Sequence, residues 1–113
     1  MTTFVNLTPH VVRVANEQDE VIFTSDPSGI RATVKTTPNI VRVVDGAPMS
    51  VTEYGPLGDF PEPANNTLYI VSTMVFQHPD VQHRNDLVVP DSGPDAIRKE
   101  GQVFAVRRFT VRQ

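Results

Sequence analysis

Residues 11–24 read VVRVANEQDEVIFT. Val12 and Val14 recur at every second position, Val21 and Phe23 do the same, and Glu17, Asp19 and Glu20 lie between the two runs. A period of two belongs to a strand that buries one face, whereas a helix would repeat every three to four residues. Two such runs around a solvated, acidic turn read as a hairpin, and the fold class follows from extending that pattern along the chain.

The alternation returns in Ile40–Val44, IVRVV, and strands are expected at about residues 3–7, 10–16, 20–24, 30–35, 39–44, 48–54, 67–76, 86–89 and 102–111. Only two stretches suit a helix: residues 79–83 with their flanks, and residues 94–100, which begin with a proline and an acid and end at Gly101. The segment GPLGDFPEPANN, residues 55–66, is too rich in proline for a regular element and is expected to run as a surface loop over the core. The expected fold is therefore α+β and strand-dominated: an antiparallel sheet or partly open barrel with one or two short helices.

A chain of 113 residues buries enough apolar surface for one core, so a single domain over residues 1–113 is expected. Its hydrophobic fraction of 39% is low, which makes a subunit interface a useful source of further burial. A formal charge of −3 argues against coating a DNA or RNA polymer, which needs a broad basic surface. No window approaches the ~20 apolar residues of a membrane helix, and the N-terminus lacks a basic and then apolar leader, so a soluble intracellular protein is expected. With no cysteine the chain has no thiol chemistry.

Catalysis finds little support. His10, His78 and His83 include no pair at metal-ligand spacing, Ser28, Ser72 and Ser92 lack the setting of an activated nucleophile, and no carboxylates pair as acid and base. Neither enzyme activity nor a cofactor or metal is expected. Arginine is the more informative residue: it supplies eight of the ten basic side chains, and its planar fork matches phosphate and carboxylate groups with two hydrogen bonds. Asp26-Pro27-Ser28-Gly29 fits a type I turn that delivers Arg31. In QVFAVRRFTVR, residues 102–112, alternation places one of Arg107 and Arg108 among apolar neighbours, where it needs an anionic partner. In HRNDLVVP, residues 83–90, Arg84 and Asp86 point to one side of an extended segment and Asn85 to the other; the charges suit a brace and Asn85 a ligand contact.

Three pieces stand in a recognisable order: Asn6-Leu7-Thr8-Pro9-His10, then Pro27-Ser28-Gly29 with Arg31, then Tyr69-Ile70-Val71-Ser72 leading through Arg84-x-Asp86-Leu87 and Pro90 to a final hairpin containing Gly101. This resembles a family of small phage proteins that open with NLTPH, and is similar to the Thoeris anti-defence sponges that capture cyclic ADP-ribose signals. The resemblance implies sequestration without cleavage, in the cytoplasm of an infected bacterial host. It also implies homo-oligomers, dimers or hexamers, with ligand pockets at protomer junctions. By the same resemblance, Arg31 and either Arg107 or Arg108 hold phosphates, while Phe76 and Asn85 contact the base. A different class of function is a small phage accessory or structural protein whose arginines form subunit salt bridges.

Overall fold

The computed structural model describes residues 1–57 and 60–112. Ten strands, one helical turn and one 3-10 turn occur in the order β1 (Thr3–Asn6), β2 (Val12–Ala15), β3 (Val21–Ser25), β4 (Thr36–Val44), β5 (Ala47–Tyr54), β6 (Thr67–Ile70), α1 (Thr73–Phe76), a 3-10 turn (Pro79–Val81), β7 (Leu87–Pro90), β8 (Ile97–Lys99), β9 (Gln102–Ala105) and β10 (Phe109–Val111). The strand-dominated class expected from alternation is the one found, with antiparallel pairing in all three hairpins and no closed barrel. No helix among the described residues is long and apolar enough to cross a membrane.

The core is an open sheet in the order β1-β6-β7-β10. Within it β1 runs parallel to β6 and β6 parallel to β7, and only β10 is antiparallel, so the central sheet is mixed rather than purely antiparallel. Its two inner strands are apolar on both faces because both faces are covered. Tyr69, Val71, Leu87 and Val89 join Leu7, Val75 and Val81 on one side, under Phe60 and Phe76. Ile70 and Val88 point the other way, where Val12 seals the sheet together with Phe4, Phe23 and Phe109. Those three rings lie 4.8–5.9 Å apart in edge and stacked contacts, geometry that adds to simple burial. The β2–β3 hairpin read from residues 11–24 is thus the lid of this second layer.

Four local expectations are corrected. Residues 30–35 form no strand; Ala32 and Val34 are nonetheless half-buried against the core, so the alternation reports burial without a strand partner. The expected strand 67–76 stops at Ile70, because Ser72 caps α1 by accepting from the Val75 N–H at 3.3 Å. The expected helix over residues 94–100 is absent, and Ile97–Lys99 instead pairs with Gln102–Ala105. Glu100 and Gly101 both take positive φ (54° and 79°), the conformation of a two-residue hairpin turn, so the glycine read as a helix stop is a hairpin glycine. An isolated helix of seven residues has too few hydrogen bonds to repay its nucleation, whereas the hairpin gains a cross-strand ladder. Last, the strand expected over residues 102–111 breaks at Arg107 and Arg108, and neither arginine obeys the alternation of one continuous strand.

Asn6 locks the two layers together. Its buried amide donates to the carbonyls of His10 (2.7 Å) and Ser25 (3.0 Å), while its oxygen accepts from the Thr8 N–H (2.9 Å) and hydroxyl (2.7 Å). The Asn6 carbonyl also takes the Ser28 N–H (3.0 Å) and hydroxyl (2.8 Å), which seats Pro27-Ser28-Gly29 beside β1, with Pro27 in an isolated parallel bridge to Asn6 where a type I turn was expected. The proline-rich segment is pinned over the core by two carbonyls, Pro61 to Arg84 and Glu62 to the Tyr69 hydroxyl. Within that segment, residues 58 and 59 lie outside the described residues.

Candidate functional site

A ligand held through phosphates needs cationic donors that the fold has not already used. Five arginines are used. Arg84 forms a two-pronged pair with Asp86, at 2.8 Å from both Nε and Nη2, and is only 9% exposed. It also lies against the rings of Phe60 and Tyr69, 5.1 and 5.8 Å from their centroids. The hydrogen bonds from Arg84 hold the Asp86 carboxyl below its ordinary range, while the carboxylate raises the guanidinium in turn. This bears out the brace expected of Arg84 and Asp86; Asn85 between them is exposed, and the chain bends there instead of running extended.

Arg107 binds Asp19 at 2.6 Å and the carbonyls of Asn16 (2.6 Å) and Asp95 (3.1 Å). Arg108 pairs with Asp91 at 2.8 Å and with Asp95, and it lowers the Asp95 carboxyl. Arg98 donates to the carbonyls of Ser92 and Gly93. Arg112 was not singled out by the sequence. It donates to the carbonyls of Phe76 (2.8 Å), Val81 (3.0 Å) and Arg84 (3.2 Å), and stacks 4.0 Å over the Phe76 ring. The aromatic face of Phe76 is therefore occupied within the chain.

The five residues singled out for ligand contact do not converge in one protomer. Asn85 lines a hollow with Glu62, His83 and Asp86, Arg107 and Arg108 line another with Asn16 and Glu17, and Arg31 and Phe76 line neither. Arg31 is exposed on the irregular segment beyond Gly29 and has no carboxylate within ion-pairing distance among the described residues.

A third cleft, of about 370 Å³, has a different character. β1, β6 and β7 run parallel, so their carboxyl ends open on the same edge of the sheet, and the cleft lies there. Thr8–Arg13 follow β1, Val71–Thr73 follow β6, Val89, Pro90 and Ser92 end β7, and Val103–Val106 close the side. Its floor is apolar, from Val12, Val71, Val89 and Ala105, while the hydroxyl residues Thr8, Ser72, Thr73 and Ser92 lie around it.

Arg13 is half-buried there, its guanidinium carbon 4.5 Å from the centroid of Phe104, and Lys99 Nζ approaches the same ring at 3.8 Å. No Asp or Glu lines the cleft, and no carboxylate pairs with Arg13 among the described residues. An acidic protein thus carries a local cationic cleft that can hold an anion, while the Phe104 ring, like that of Phe76, is already covered by cations of the same chain. His10 is the one other titratable residue in the lining. No group of three or more His, Asp or Glu among the described residues gathers as a metal site.

Sequence reasoning missed Arg13 and Phe104, although a signal existed. Arg13 stands between Val12 and Val14, the same cation-among-valines pattern that drew attention to Arg107, and only the fold separates the free arginine from the paired one. Compared with family models, curated proteins and solved structures, the chain finds no match in any of the three.

Proposed function

We propose that this chain is a binding protein without catalysis, which takes up and withholds a small anionic nucleotide of the cyclic ADP-ribose class. The observation that carries the proposal is the cleft at the carboxyl ends of β1, β6 and β7, where, among the described residues, Arg13 has no carboxylate partner and no Asp or Glu lines the wall. Ionised hydrogen bonds to phosphate are strong in such partly sheltered surroundings because salt screens them less. The volume lies at the small end of the about 300–1,000 Å³ typical of ligand sites. It suits one nucleotide half of the ligand, and the other half would rest on residues of a second protomer. Of those expected from the resemblance, Arg31 is the best contributor because it has no ion-pair partner among the described residues, whereas Arg107 and Arg108 would have to leave Asp19, Asp91 and Asp95.

Equilibrating the protein with a cyclic ADP-ribose isomer, removing it by filtration and assaying the filtrate tests this directly. The expected result is depletion, with intact ligand released after heat denaturation. Arg13→Gln should weaken capture roughly tenfold to a hundredfold, the loss of a charged hydrogen bond, while leaving thermal unfolding unchanged. Chemically altered ligand would instead establish an enzyme, and no depletion would sink the reading for that ligand. The alternative, an accessory or structural oligomeric protein, draws on the exposed β4–β5 ribbon; it is favoured if the protein self-associates yet depletes no nucleotide.

A further inference from the structure

Among the described residues, four cationic side chains lie over aromatic rings, and they differ in what else holds them. Arg84 lies over Phe60 and Tyr69 while Asp86 grips it with two hydrogen bonds, and Arg112 stacks on Phe76 while it donates to three carbonyls. Arg13 and Lys99 share the ring of Phe104, at 4.5 and 3.8 Å from its centroid, and neither has a carboxylate partner among the described residues. They reach it from separate segments. The Val106 N–H donates to the Arg13 carbonyl at 2.9 Å, which holds β2 beside the end of β9. Lys99 faces Gln102 across the β8–β9 hairpin, and Phe104 is two residues further on, a diagonal that a long side chain spans.

The two cations cover the ring in different ways. Arg13 is half-buried and its guanidinium is planar, so it can donate to an oxyanion along its own plane while its flat side stays on the ring. Lys99 is exposed, and its ammonium is a compact point charge on a flexible stem that stands where a stacked base would have to lie. An ionised hydrogen bond to phosphate is stronger than an exposed contact between a cation and a ring, so an anion held at Arg13 outcompetes Phe104 for Lys99.

We propose that Lys99 masks Phe104 and that a phosphate group bound at Arg13 draws it off, so that the ring opens to a base when the anion is in place. The inference rests on the nucleotide reading of the cleft and adds to it a rule of selection. A neutral nucleoside meets the mask, a bare anion gains no stack, and a ligand that carries both parts gains both contacts. Phosphate and base are then positively coupled, and the coupling is reciprocal: each raises the affinity for the other by the same factor.

2-Aminopurine riboside, whose fluorescence is quenched when its base stacks, tests the mask with the ligand taken apart; the chain has no Trp to interfere. Titrated into the full chain at matched ionic strength, the riboside should bind roughly fivefold more tightly with inorganic pyrophosphate present than without it. Lys99→Ala should bind the riboside without pyrophosphate as tightly as the wild type does with it, and pyrophosphate should add nothing further. Phe104→Leu should abolish the quenching under both conditions, while calorimetry still shows pyrophosphate bound. Equal affinity with and without pyrophosphate in the wild type, competition between the two, no quenching under either condition, or a Lys99→Ala variant that still needs pyrophosphate overturns the mask. Capture of intact cyclic ADP-ribose alongside any of those results leaves the nucleotide reading standing, whereas coupled fragments without that capture keep the mask and remove cyclic ADP-ribose as the ligand.

Discussion

Arg84→Ala should lower the free energy of unfolding by about 3 kcal/mol at neutral pH, a large share of the roughly 5–15 kcal/mol that holds a domain of this size together. Three losses combine. Asp86, 17% exposed, keeps its charge without its two-pronged partner; the Pro61 carbonyl loses its donor; and the stack on Phe60 and Tyr69 that seats the proline-rich segment is removed. The pH dependence has a definite sign. Because the folded state holds the Asp86 carboxyl low, the pair contributes fully above the unfolded carboxyl value of about 4, and its contribution fades as pH falls through that value toward the lower folded one. Urea unfolding of both proteins at pH 7 and at successively lower pH should therefore show their difference shrinking in acid. Arg108→Ala provides the contrast: its pairs with Asp91 and Asp95 are exposed, so the change should cost less, and the cost should diminish with added salt. Equal costs for the two substitutions would refute the view that burial makes the Arg84 pair important.

Asn6→Asp should be as damaging, at about 3 kcal/mol, although it exchanges one atom for another of nearly equal size. The amide nitrogen faces two carbonyl oxygens, those of His10 and Ser25, in a site only 1% exposed. A carboxylate would place a negative oxygen against both, with no water to relieve it. Acid should restore part of the loss, since a protonated carboxyl can donate to one carbonyl but not to two. Thermal unfolding of the variant at pH 7 and near pH 4 checks this, and a variant that melts like the wild type at pH 7 would show that the four hydrogen bonds of Asn6 do not hold the two layers together.

Part of this architecture was legible in the residues. Val12 with Val14, and Val21 with Phe23, stand two apart because successive side chains of an extended backbone point to opposite sides, a local rule that needs no partner. The pairing of Arg84 with Asp86 was also legible, although residues 85 and 86 bend rather than run extended, and Asn85 lines the same hollow as its two neighbours. Where the local rule met competing local chemistry it failed: Ser72 capped a helical turn inside an apolar run, and Glu100-Gly101 closed a hairpin where a helix stop was expected.

The candidate cleft was less legible because no local signal separates a free arginine from a paired one. Arg13 and Arg107 both follow a valine in a strand-like run, yet Arg107 meets Asp19 across 88 residues of chain and Arg13 meets Phe104 in an open cleft. Alternation, the strand-dominated class and the Arg84–Asp86 brace were determined by the sequence alone, since each depends on neighbours one or two positions away. The parallel order of β1, β6 and β7, the edge on which their ends open, and the division of the arginines into committed and free were decided only by the tertiary structure, because each depends on how far-separated segments of the chain are brought together.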